Sequence, residues 1–125
     1  MPIVDMSFKD GIFFAREYGR VDKADAKVWA ERLSHHCMIS SVPVVAVIDA
    51  LDVKYISTEA RQIFVKASKI PNFKLSAVAA KALVTAQTAR IIAMMSEENH
   101  FHVFGSLSEA EYFALEHTMG TGAGR

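Results

Sequence analysis

Apolar and polar positions change their period several times along the chain, and each change marks an element. Residues 3–8 and 12–18 read as strands on either side of Lys9, Asp10 and Gly11, and Asp-Gly between two such runs is a hairpin signal. The chain is therefore expected to open with a hairpin whose second strand closes at Gly19. Over 22–37 the period becomes helical, with Ala26, Trp29, Ala30, Leu33 and Cys37 on one face. Asp22 can cap this helix, and Asp25 falls in its first turn, where the helix dipole favours negative charge. Pro43 stands at the mouth of the next strand, where a missing N–H costs little. Residues 44–48, VVAVI, are apolar without alternation, the pattern of a central strand covered on both faces. That run stops at Asp49, and a short loop is expected to lead to Ser57.

Helical spacing returns at Ser57, with Ala60, Ile63, Phe64, Ala67 and Ile70 three or four apart until Pro71 stops it and Asn72 follows in the turn. Residues 75–80 form a strand rich in small side chains. A third helix is expected over 85–98, with Ala89, Ile92 and Met95 inward, and 101–104 is a short last strand. Ser106 and Glu109 make a capping box, which opens a fourth helix carrying Ala110, Phe113, Ala114 and His117 on one side. The segment 120–125, GTGAGR, is expected to fray. After the hairpin, strands and helices alternate, which argues for parallel strands joined by right-handed crossovers. The expected fold is α/β: a mixed, mainly parallel sheet of about five strands after an N-terminal hairpin, with four helices packed on it. One domain is expected over 1–119, followed by a flexible tail over 120–125.

Composition narrows the function classes. The 14 basic and 14 acidic residues cancel to a formal net charge of zero, and no run of like charge occurs, so nothing favours nucleic acid or anionic lipid. A single cysteine, Cys37, rules out an internal disulfide framework and fits a reducing compartment. The first residues carry acids and no long apolar region, and the apolar stretches are far shorter than a membrane span, so a cytoplasmic location is expected.

Candidate chemistry is sparse. Asp49 and Asp52 follow an apolar strand, where α/β proteins often place sites, and an enzyme would use them as an acid–base pair. The alternative is that they hydrogen-bond loop N–H groups and pin a turn. His100 and His102 would point to one face of a strand, but a zinc site wants three or four ligands and no third has suitable spacing. His35 and His36 are adjacent on a helix and diverge. Cys37 follows His36 but does not face it, and reads as a small buried hydrophobe. The GTGAG of the tail has no strand before it or helix after it, so it is not a dinucleotide fingerprint. No P-loop, nucleophile elbow or zinc-protease motif occurs, and neither a metal nor a cofactor is implied.

The opening hairpin ending near Gly19, the strand VVAVIDA ending in Asp49, the loop to a helix at Ser57, the strand AVAAKA and the closing VFGSLSEAEYF together resemble the STAS domain family of the SpoIIAA-like, anti-sigma-factor antagonist type. The resemblance spans nearly the whole chain. It implies a non-catalytic interaction or regulatory module, a protein partner of unknown identity, a homodimer and a bacterial source. In phospho-switch members of the family an Asp-Ser-Ser-Gly motif precedes the helix and its first serine is phosphorylated. Laid on this sequence, that motif falls on Ser57, Thr58, Glu59 and Ala60, with Thr58 as acceptor. Three of the four positions differ, and Glu59 beside the acceptor would repel a phosphate that the helix N-terminus attracts. The competing reading makes Ser57 an N-cap, with Thr58 and Glu59 in the first turn.

Ile91, Met94 and Met95 spread apolar surface over more than one face of the expected third helix. Core packing explains this, as does a partner surface or an apolar ligand crevice. Some SpoIIAA-like proteins are thought to hold apolar ligands or associate with membranes. The resemblance therefore implies an alternative function, binding of an apolar small molecule or lipid with membrane association.

Overall fold

The computed structural model describes residues 3–81 and 101–123, with side chains as far as Thr118 in the last helix. Its strands are β1 (Ile3–Lys9), β2 (Ile12–Val21), β3 (Val44–Ile56), β4 (Phe73–Ala79) and β5 (Phe101–Phe104). Its helices are α1 (Lys23–Ile39), α2 (Thr58–Ala67) and α3 (Leu107–Ala123). The five strands form one sheet in the order β1-β2-β3-β4-β5. β1 and β2 are antiparallel, and every later neighbour is parallel. The mixed, mainly parallel α/β architecture expected from the sequence is thus present. Three helices occur among the described residues; the fourth, expected over 85–98, lies outside them.

The hairpin turns as its chemistry dictates. Lys9 pairs with Ile12, and the two residues between them, Asp10 and Gly11, both have positive φ (53° and 81°). That is the type I′ arrangement, whose twist matches the strands it joins. A Cβ at Gly11 would also meet methyl groups of Thr118 and Val42 at 3.3 Å, so this turn is pressed against α3 and the α1–β3 loop.

The central strand divides the core into two layers. Val44, Ala46, Ile48 and Ala50 point to one face, where they pack with Trp29, Leu33 and Cys37 of α1 and Ala60, Phe64 and Ala67 of α2. Val45 and Val47 point to the other, under Ala110 and Ala114 of α3. Residues 44–48 are at most 3% exposed, which explains why they carry no alternation: both faces are covered. Trp29 anchors the larger layer, edge-on to Phe64 at 5.0 Å between ring centroids. The loop after α1 is held from a distance by Asn72. Its backbone takes a left-handed φ of 68°, and its side-chain amide donates to the carbonyls of Cys37 (3.0 Å), Val42 (3.1 Å) and Ser40 (3.2 Å).

Several boundaries differ from the sequence reading. β2 passes through Gly19, at φ 64°, and ends at Val21. β3 does not stop at Asp49 but runs to Ile56. The extra length pairs with β2 alone, because β4 ends opposite Asp49. A two-stranded ribbon therefore projects beyond the sheet, from Tyr18 opposite Asp52 to Val21 opposite Ile56. Register shifts between Arg16 and Tyr18 and between Gly19 and Arg20 interrupt the ribbon, so its period is broken where a strand signal would be sought. At the other end of the chain, α3 is helical to Ala123, into the segment 120–125 expected as a tail.

Candidate functional site

The ribbon delivers the chain to α2. Ser57 donates its backbone N–H to the Val21 carbonyl at 3.0 Å, fixing the helix start to the end of β2. Its Oγ accepts from the Ala60 N–H at 3.1 Å, and the residue is buried. Ser57 is thus an N-cap whose hydroxyl is engaged by the helix it opens. Thr58 is exposed in the first turn, and its Oγ1 accepts from the Arg61 guanidinium at 3.1 Å. Glu59 is exposed beside it and adds a negative charge to the helix start. Removing the buried cap should cost about 1 kcal/mol. Ser57→Ala should therefore lower the urea midpoint at unchanged slope, whereas Thr58→Ala, which loses one exposed hydrogen bond, should shift it far less.

The two aspartates are not a pair at a strand end, because β3 continues through both. Asp49 is buried opposite Arg16 of β2, whose Nε donates to Oδ2 at 3.3 Å. Its Oδ1 accepts from the Leu51 N–H at 3.3 Å. Both oxygens thus hold the point at which β3 leaves the sheet and enters the ribbon. Asp52 lies farther along that ribbon, exposed and opposite Tyr18. Near it the Arg20 guanidinium lies 4.3 Å from the Tyr55 ring centroid, and Tyr18 and Tyr55 are both exposed. The expected loop between Asp49 and Ser57 is in fact this ribbon.

His102 stands against the Phe113 ring at 4.8 Å, and His100 lies outside the described residues. No group of three metal-ligating side chains occurs among the described residues. His36 stacks on Phe8 at 4.5 Å, and burial holds its imidazole below the ordinary value, helped by His35 and Arg32. Cys37 is buried, and burial pushes its thiol up to about 11, which keeps it protonated at neutral pH. Ile91, Met94 and Met95, expected to form an apolar ligand or partner surface, lie outside the described residues.

One group escaped the sequence reading. Glu17 is 2% exposed on β2, on the same face as Phe13 and Ala15, and its Oε2 has no hydrogen-bond partner among the described residues. Burial, with the Asp25 carboxylate of α1 as a smaller contribution, pushes its carboxyl up to about 8. The signal was strand parity: 13, 15 and 17 alternate inward along β2.

The described residues form clefts on opposite faces of the sheet. One, of about 470 Å³, lies beside α3 and is lined by Ser7, Ile12, Phe14, Val47, Glu111 and Leu115. The other, of about 450 Å³, is a groove between α1 and α2 with lysines along its walls. No helix among the described residues is long and apolar enough to cross a membrane.

No protein-family model matches the sequence, and no curated protein matches it significantly. Solved structures do. An anti-sigma factor antagonist from Mycobacterium paratuberculosis superposes with a TM-score of 0.67 at 17% identity, over 90% of this chain and 94% of that one. An uncharacterized protein of the DUF3478 family with a SpoIIAA-like fold, from Shewanella loihica PV-4, superposes with a TM-score of 0.64, also at 17% identity, over 90% of this chain and 93% of that one. Among the described residues, an antiparallel hairpin feeding a parallel sheet, with two helices on one face and the last helix on the other, makes up a SpoIIAA-like fold.

Proposed function

We propose that this chain is a non-catalytic regulatory module of the cytoplasm that works by binding a protein partner through the exposed start of α2 and the adjoining β2–β3 ribbon. The observation that carries this reading is the likeness to an anti-sigma factor antagonist over nine-tenths of the chain. The local chemistry agrees with it. Both oxygens of Asp49 are engaged in structural bonds, whereas Thr58, Glu59, Tyr18 and Tyr55 present exposed polar and aromatic groups suited to a protein surface. The module works without a phosphate on Thr58, since Glu59 beside it opposes a second negative group.

Crosslinking in the cells of origin, followed by reconstitution with the purified partner, tests the reading. A defined complex is expected, and Glu59→Arg or Tyr55→Ala should weaken it at least about tenfold, the scale of a modest interface residue. A complex indifferent to both substitutions would place the interface elsewhere. Phosphopeptide mapping of the same material should find Thr58 unmodified; stoichiometric phosphate there would make the segment a switch.

A further inference from the structure

The described surface carries two features that fit one another. In the groove between α1 and α2, Ala30, Ile63, Ala67 and Ile70 form an apolar floor. Lys23 and Lys27 stand on the α1 wall and Lys66 on the α2 wall, with Glu31 the one acid among the lining residues. None of the three ammonium groups has a carboxylate within ion-pair reach among the described residues.

The solvent side of α3 has the opposite character. Tyr112 is 65% exposed, and Leu115, which with Glu111 also borders the cleft beside Ile12 and Phe14, is 46% exposed, so two large apolar side chains stand three residues apart on one stripe. Helical spacing puts Glu111 on one side of that stripe and Glu116 and Glu109 on the other, and all three are exposed. An apolar ridge flanked by carboxylates thus stands on one face of the sheet, and an apolar trough flanked by ammonium groups on the other.

We propose that α3 of one copy docks into the α1–α2 groove of a second copy, with Tyr112 and Leu115 on the apolar floor and Glu111 and Glu116 against Lys23, Lys27 and Lys66. The two halves of the contact differ, so the contact is heterologous. They also lie on opposite faces of the sheet, so two copies cannot satisfy both halves at once. Such a contact adds copies head to tail instead of closing at the homodimer that the resemblance implies. This inference stands independently of the partner-binding reading, because it uses neither the start of α2 nor the ribbon.

Sedimentation velocity of the full chain over a wide concentration range tests it. The wild-type mass should grow past two copies as concentration rises, and fall back in about 1 M salt, where screening shortens to about 3 Å. Lys27→Glu with Lys66→Glu should abolish growth by spoiling the groove. Tyr112→Ala with Leu115→Ser should abolish it by spoiling the ridge. All four positions are exposed, so circular dichroism should show both variants folded. Each variant retains one intact half, so mixing them should give a one-to-one complex that grows no further. A wild-type chain that stays monomeric overturns the proposal. So does a closed dimer that survives in both variants, or a mixture in which the two variants ignore each other.

Discussion

Val47→Asp should give a chain that does not fold. Val47 is 1% exposed at the middle of the central strand, opposite Phe14 on β2 and Ala77 on β4, and covered by Ala110 and Ala114 of α3. A carboxylate placed there would lose its water. Arg16, two residues beyond Phe14 on β2, already serves Asp49. An unpaired charge in such a place costs several kcal/mol against a total stability of roughly 5–15 kcal/mol. Val47→Ala separates this cost from simple loss of packing. It removes two buried carbons and should cost about 2 kcal/mol, leaving a folded chain with a lower denaturant midpoint. Circular dichroism and urea unfolding of both variants check the expectation. Cooperative unfolding of Val47→Asp at the wild-type midpoint would mean that this face of β3 is open to solvent.

Val47 was legible because the physics that buries it is local. A strand covered on both faces needs apolar side chains on both faces, and VVAVI says so in five residues. Asp10-Gly11 was legible for a similar reason: the turn needs two positive φ values, and those residue types tolerate them. Ser57 was legible as a cap because a small hydroxyl residue in front of a helical pattern has few better uses.

What escaped the sequence is what depends on neighbours far along the chain. Residues 49–56 read as a loop because two register shifts break their alternation, and because Asp49, Asp52 and Lys54 are polar. They are held as strand by β2, more than thirty residues earlier, and by the Arg16–Asp49 contact across it. The facing charges of the α1–α2 groove and of α3 were equally hidden. Each lysine or glutamate looks like an ordinary solvated position until the helices are placed on opposite faces of the sheet.

Glu17 was missed although strand parity pointed to it, and it sets the second large effect: its contribution to the stability of this protein should fall as pH rises from 4.5 to 8. Below pH 4.5, the ordinary value for a glutamate, the carboxyl is protonated in both folded and unfolded chains and contributes no difference. Between 4.5 and about 8 the unfolded chain releases the proton while the folded chain keeps it, because burial disfavours the charged form. The native state then binds more protons, so stability drops with each step in pH. Above about 8 the folded state ionises too and the penalty is complete, at about 5 kcal/mol by linkage. Asp25 in the first turn of α1 adds to it, since an ionised Glu17 would face a second carboxylate. Glu17→Gln keeps the shape and removes the titration. The amide leaves a polar group as poorly partnered as Oε2 is now, so its baseline at pH 5 can differ from wild type by the cost of one hydrogen bond. The difference between the two proteins should nonetheless change by several kcal/mol between pH 5 and pH 8.5, in favour of the glutamine variant. Denaturant unfolding of both proteins at those pH values measures that change, which includes the response of Asp25 to the charge at position 17. Parallel stability curves would show that Glu17 ionises in the folded chain as it does in water, and that the carboxyl is not buried.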